Sequence, residues 1–165
     1  MLRRVDATKP VGGLRRLLAR ATNNAVGRWV ARTVGWKLDP WLLRVSGGRF
    51  GSTSLIVPTL LLRTTGARSG QPRDHAVIYF HDGADVIVVA SHAGAPTHPA
   101  WFHNLVAHPA VEVNGAPMLA TVVTDDAERT RLWALADNVF PVFADYRETA
   151  AAIGRTIPLV RLLLV

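Results

Sequence analysis

Two guanidiniums and a hydroxyl close together in the chain, Arg68, Ser69 and Arg73, carry its most specific chemistry. An Arg fork binds phosphate or carboxylate through two parallel hydrogen bonds, and a serine hydroxyl adds a donor. The three stand in Thr64-Thr-Gly-Ala-Arg-Ser-Gly-Gln-Pro-Arg73, where Gly66 and Gly70 bracket Ala67-Arg68-Ser69. A tight turn of this kind leaves successive backbone N–H groups aimed at one spot, which suits an anion. The apolar run Leu60-Leu61-Leu62 precedes it and an extended segment follows Pro72, so it reads as a phosphate clamp between two strands.

A second candidate is Ala90-Ser-His-Ala-Gly-Ala-Pro-Thr-His-Pro-Ala-Trp-Phe-His-Asn104. Gly94 and its alanine neighbours let a flat ligand approach the backbone. Trp101 and Asn104 are three apart and share a helix face, one offering a stacking surface and the other an amide that donates and accepts. Taken alone, Trp101 reads better as a core residue and Asn104 as a structural hydrogen bonder. Six histidines (His75, His81, His92, His98, His103 and His108) form no His-Glu-x-x-His pair, and no carboxylate cluster completes a ligand set. No metal site is expected. Gly66-Ala-Arg-Ser69-Gly70 also lacks the Gly-x-Ser-x-Gly spacing of a serine hydrolase.

Strands that position these residues are expected at about 59–65, 75–81 and 85–91, the last two joined by a turn at His81-Asp82-Gly83. A short helix is expected over 99–107, with Pro99 at its first position and Pro109 beyond its end. Residues 111–123 read as a hairpin around Asn114-Gly115. Asp125 or Asp126 caps a helix running to about Asn138, a short helix falls within 140–154, and 157–165 closes the sheet as a strand. Six strands with hairpin connections predict an antiparallel barrel carrying helices, an α+β fold that is mainly β.

The 165 residues suffice for one hydrophobic core, and at 49% hydrophobic and 19% charged the chain is globular. No apolar run approaches the roughly 20 residues of a membrane span. The absence of cysteine suits a cytoplasmic address and excludes thiol chemistry. The net charge of +7 is concentrated at the start: residues 1–50 hold 11 Lys and Arg against Asp6 and Asp39. This predicts a basic helical extension over 1–50, distinct from a barrel domain over 51–165. Leu14, Leu17, Leu18, Ala21, Ala25 and Trp29 fall on one helix side, with a break expected between Asn23 and Gly27. Gly35 and Pro40 should end the helical region, and 46–52 should form a connector. Such an extension can contact an anionic membrane at its inner face or serve only as a solvated surface. Nucleic-acid binding has no support beyond that charge.

The order Thr-Thr-Gly-x-x-Ser-Gly-x-Pro-Arg over 64–73, Ala90-Ser91, and His-Pro-x-Trp-x-x-Asn-Leu over 98–105 resembles the deazaflavin-dependent nitroreductase family of actinobacteria. These are F420-binding oxidoreductases with a split β-barrel related to FMN-binding barrels. The likeness continues through Phe-Pro-x-Phe-x-Asp-Tyr at 140–146 to Arg155-Thr-Ile-Pro158, covering about residues 55–165. It implies a six-stranded split barrel binding F420, with FMN the weaker candidate. Arg68, Ser69 and Arg73, with Ala67, would hold the cofactor's anionic tail and phosphate. Asp74, His75, Ala76, Val77 and Ile78 match the strand along which its ring lies. Val89, Ala90, Ser91 and His92, with Ala100, Trp101, Phe102, His103 and Asn104, match the opposite side. Phe140, Phe143 and Tyr146 match the substrate pocket, with Tyr146 as the candidate catalytic proton donor.

Departures from the family pattern shape the expected reaction. Ala67 replaces one of two basic residues common before the serine, His92 stands where relatives often have Lys, and Phe140 and Phe143 replace tyrosines. Phenylalanine cannot donate a proton, so a quinone or similar flat electron-poor acceptor is favoured over nitro-prodrug reduction. A homodimer is compatible with the fold. A second class remains open on the same residues: a non-catalytic or differently loaded barrel binding FMN, haem or a bile pigment.

Overall fold

The computed structural model describes residues 2–22, 36–47 and 57–165. Six antiparallel strands, β1 (Thr59–Thr65), β2 (Pro72–Asp82), β3 (Asp85–Val89), β4 (Ala110–Val113), β5 (Ala116–Val122) and β6 (Leu159–Leu164), close a barrel in the order β1-β2-β3-β6-β5-β4. The closing β1–β4 seam is short, with register pairs Leu62–Val113 and Arg63–Glu112. The expected split-barrel architecture is present.

Alternation along β2 separates two cores. His75, Val77 and Tyr79 point inward, joining Leu60, Leu62, Val86, Val88, Val111, Val113, Met118 and Leu162 among the buried residues. Phe80 points outward into a second apolar layer with Ile87, Val89 and Leu159. Helices α4 (Asp126–Val139) and α5 (Phe143–Ala151) supply that layer with Leu132, Ala136, Val139, Phe143 and Ala150. Strand β3 is therefore buried on both faces, which explains its unbroken Val-Ile-Val-Val run.

Local signals account for the connections. Asn114 and Gly115 both adopt positive φ, as a two-residue hairpin loop needs. Asp125 is the cap of α4, accepting the Glu128 N–H at 2.7 Å. Helix α3 (Ala100–Ala107) follows Pro99, which sits at its cap rather than its first helical position.

The sequence expectations need correction at several boundaries. Strand β2 begins at Pro72, before the expected 75, because Pro72 already pairs with Thr65 of β1. A 3-10 turn over His92–Gly94 follows β3 and was not anticipated. Pro40 does not end a helix; it lies inside α2 (Trp36–Val45). Burial of Asp39, Pro40 and Leu43 against β1 and β2 outweighs the one helical hydrogen bond that proline removes. The expected break between Asn23 and Gly27, with Ala25 and Trp29, lies outside the described residues, as does most of the 46–52 connector.

Helix α1 (Gly13–Thr22) turns its leucines outward, with Leu14 72%, Leu17 65% and Leu18 43% exposed, while Ala19 is buried. The arm before it runs along the barrel. Val5 N–H donates to His81 Nδ1 at 3.1 Å, and Tyr79 Oη donates to the Arg3 carbonyl at 2.7 Å.

Candidate active site

The strand registers gather the predicted segments at one end of the barrel. Thr65 and Pro72 mark that end of β1 and β2, and Val89 pairs there with Leu159 at the start of β6. The basic turn, the 90–98 loop and the Arg155–Pro158 segment therefore share one mouth. Helix α3 closes it: Trp101 and Leu105 are buried with the barrel-interior side chains. The hairpin loops at 83–84 and 114–115 lie at the opposite end.

The basic turn is shaped by its own backbone. Gly66 N–H donates to the Gln71 carbonyl at 2.9 Å and Gly70 N–H to the Gly66 carbonyl at 2.8 Å. Gly66 is buried, and a Cβ there would lie 2.5 Å from Ser69 Oγ and 3.2 Å from the Gln71 oxygen. Gly70 has φ +65°, a conformation open to glycine. Ala67, Arg68, Ser69 and Arg73 are exposed, and neither guanidinium has a carboxylate partner among the described residues. Two cations held without counter-charge on a preformed turn fit a phosphate or carboxylate ligand.

Asn104 fastens α3 to this turn. Its Oδ1 accepts the Ala67 N–H at 3.0 Å, and its Nδ2 donates to Thr64 Oγ1 at 3.0 Å. Thr64 pairs with Arg73 across the β1–β2 ladder, so Arg73 stands beside this buried contact. Trp101 and Asn104 do share one helix face, and that face is turned onto the barrel end. Phe102 is half-buried and His103 exposed on the other side, where the His98 ring lies 5.0 Å from Phe102 and 5.9 Å from His103.

The run Asp74–Ile78 divides between two surfaces. His75 and Val77 face the barrel interior, while Asp74, Ala76 and Ile78 face outward. Asp74 is engaged there by Arg63 at 2.8 Å and by Arg44. His75 is buried with no hydrogen-bond partner on Nε2 among the described residues, and burial, followed by the nearby Arg73 charge, pulls its pKa down to about 4. At neutral pH it is an uncharged imidazole with an unused polar atom next to the mouth.

The opposite wall is a strained turn. After buried Val89, Ala90 and Ser91, His92 and Ala93 adopt φ +49° and +50°, followed by Gly94 at +73°. Two consecutive non-glycine residues in this region carry strain that their surroundings must hold. His92 Nδ1 lies 2.9 Å from the Thr97 carbonyl. Gly94 lies against α5, where an added Cβ would come within 3.3 Å of the Tyr146 carbonyl.

Arg155 supports this wall from below, a role not drawn from the sequence. Its Nη1 donates to the Ser91 and Ala95 carbonyls at 3.0 and 2.6 Å, and its Nη2 to the Ala90 carbonyl at 2.7 Å. Its Nε donates to His98 Nδ1 at 3.2 Å. The only available signal was an arginine before a buried strand in a segment otherwise poor in charge.

Tyr146 is half-buried, its ring 6.2 Å from Phe140 and 6.4 Å from Phe143. Phe143 is fully buried in the outer apolar layer and Phe140 nearly so. The three predicted pocket residues are thus brought together as one aromatic cluster, of which Tyr146 is the most accessible member. Among the described residues, no group of three or more His, Asp or Glu side chains is arranged to hold a metal ion.

The six-stranded closed antiparallel barrel is a split barrel of the FMN-binding-like class. Within that class the chain belongs to the F420H(2)-dependent quinone reductase family, whose model matches residues 36–163. It is 37% identical over 122 residues to the F420H(2)-dependent quinone reductase Rv1261c of Mycobacterium tuberculosis, covering 68% of this chain and 82% of the relative. A solved structure described as an F420-H2 dependent reductase superposes with TM-score 0.55 at 31% identity, over 64% of this chain and 93% of that one. Another, described as a domain-swapped dimer, gives TM-score 0.56 at 31% identity over 64% and 79% of the two chains.

Proposed function

We propose that the protein binds F420 at the barrel mouth and reduces a quinone or a similarly flat, electron-poor aromatic. The observation that carries this reading is the preformed turn bearing Arg68, with Arg73 beside it at the start of β2, neither paired with a carboxylate among the described residues, and fastened through Ala67 to Asn104. Bound in its reduced form, F420 supplies a hydride to the acceptor. Arg68, Arg73 and Ser69 bind the anionic tail. His75 Nε2, buried and without a hydrogen-bond partner among the described residues, is available as a hydrogen-bonding group beside Arg73. The Ala90–Ala95 wall admits a flat ring close to the backbone, and α3 with Trp101 excludes water from the barrel interior. Tyr146 is the candidate proton donor within the aromatic cluster, because its neighbours Phe140 and Phe143 have no acidic hydrogen.

Purified protein mixed with F420H2 and menadione should consume the reduced cofactor. Tyr146→Phe should lower kcat by about tenfold or more, on the low side of general-acid contributions. Undiminished turnover would remove Tyr146 from the mechanism.

A peripheral contact with an anionic bilayer is supported by the outward leucines of α1, together with exposed Leu38, Trp41 and Val45 of α2 and the basic charge around them. No helix among the described residues is long and apolar enough to cross a membrane. Because Ala7, Ala19 and Leu43 are buried, point changes test this contact more cleanly than truncation. Leu14→Ser with Leu17→Ser should reduce co-sedimentation with phosphatidylglycerol vesicles while F420 binding persists. Equal sedimentation would dismiss the contact.

A further inference from the structure

Arg155 is 9% exposed, yet no carboxylate pairs with it among the described residues. All four of its hydrogen bonds end on neutral acceptors within one stretch: the carbonyls of Ala90, Ser91 and Ala95, and His98 Nδ1. Burying an arginine without a counter-ion is costly, and burial alone pulls its pKa down. A role in general stability is served more cheaply by an apolar side chain of similar volume. What an apolar chain does not supply is several fixed donors converging on successive carbonyls.

Those carbonyls flank His92 and Ala93, the two non-glycine residues at positive φ in this turn. Each such residue is strained and persists only where its neighbours over-determine it. The turn's own bonds are few: Gly94 N–H to the Ser91 carbonyl and Ala95 N–H to the His92 carbonyl, both at 3.0 Å. The Arg155 fork binds the carbonyls on both sides of the strained pair. Its Nε–H also requires His98 to present an unprotonated Nδ1, which places the His98 hydrogen on Nε2.

We propose that Arg155 is a positioning residue for the active site, holding the left-handed His92–Gly94 turn in the shape that receives the cofactor's ring. The proposal rests on the F420 reading above for the identity of that ring, but the hold on the turn is a property of the cofactor-free protein. Lysine keeps the charge but brings a single nitrogen with no planar fork, so it cannot span carbonyls from Ala90 to Ala95 and reach His98 together.

The test compares wild type with Arg155→Lys and Arg155→Gln. In cofactor-free protein, hydrogen exchange at the Gly94 and Ala95 amides should accelerate by about tenfold or more, the scale of one lost hydrogen bond to a charged group. Exchange in the β1, β2 and β6 amides should stay near the wild-type rate. The 15N spectrum of His98 should move from the Nε2–H tautomer toward a mixture. With F420, affinity should fall by about tenfold for both variants, while the KM for menadione stays within about twofold. Uniform acceleration of exchange across the barrel, or an unchanged 91–95 segment, would overturn the proposal. If wild type does not bind F420, the cofactor reading fails, and the exchange and tautomer results still decide the role of Arg155.

Discussion

Asn104 accepts the backbone N–H of Ala67 at 3.0 Å, and through that contact helix α3 is fixed to the turn carrying Arg68 and Arg73. The same carboxamide donates to Thr64 Oγ1, so both ends of the amide are used. Asn104→Ala should therefore cost about 1–3 kcal/mol in urea unfolding, because it strands the buried Thr64 hydroxyl and removes the partner of the part-buried Ala67 N–H. F420 affinity should fall with it, since the turn loses its anchor. A variant of wild-type stability and affinity would show that the turn holds its shape unaided.

Gly66→Ala tests the turn itself. The new Cβ meets Ser69 Oγ, which can rotate away, and the Gln71 carbonyl, which cannot move without disturbing the turn. The expected loss of F420 affinity is about 1 kcal/mol, the value of one ordinary hydrogen bond. Fluorescence titration reads it, and unaltered binding would separate the turn's geometry from ligand recognition.

The buried His75 makes stability depend on pH. Its folded pKa of about 4 lies below the ordinary histidine value of 6.5, so the unfolded chain binds the extra proton first. Stability from this group is complete above about pH 6.5 and is lost as the pH falls through 4, up to about 3 kcal/mol. His98 and His81, also shifted down by burial, act in the same direction. Urea midpoints measured from pH 7.5 to 4.5 should fall, and His75→Leu should make that fall shallower. An identical slope in the variant would rule out His75 as its source.

At the opposite end of the barrel, Asp82 accepts two hydrogen bonds from Arg131, at 2.8 and 2.7 Å, and one from Arg161 at 3.0 Å. The Arg131 bonds, before any other cause, hold its carboxyl down to about 2. Asp82→Asn should destabilise the fold by about 1–3 kcal/mol and leave F420 affinity unchanged. A loss of affinity matching the loss of stability would place the cofactor elsewhere than the mouth.

Much of the barrel was legible because its signals are local. The alternation in β2, the Asn114-Gly115 loop and the Asp125 cap each act within a few residues. The turn was legible for the same reason: Gly66 and Gly70 lie within five residues of each other, with Arg68 between them and Arg73 just beyond at the start of β2. What escaped reading depends on distance in sequence. Pro40 sits within a helix because Asp39 and Leu43 are buried on the barrel. The split of Asp74–Ile78 between two faces became definite only with the strand register. Arg155 finds its partners 57–65 positions earlier in the chain, and no spacing rule connects them.

The central claim is that the mouth of this barrel is built for F420. Parallel titrations of the purified protein with F420 and with FMN, followed by tryptophan fluorescence, test it most directly when repeated on Arg73→Ala. F420 should bind the wild-type protein more tightly than FMN, and Arg73→Ala should weaken F420 by about 1.5–3 kcal/mol. Tighter binding of FMN, or an F420 affinity indifferent to Arg73, would contradict the account.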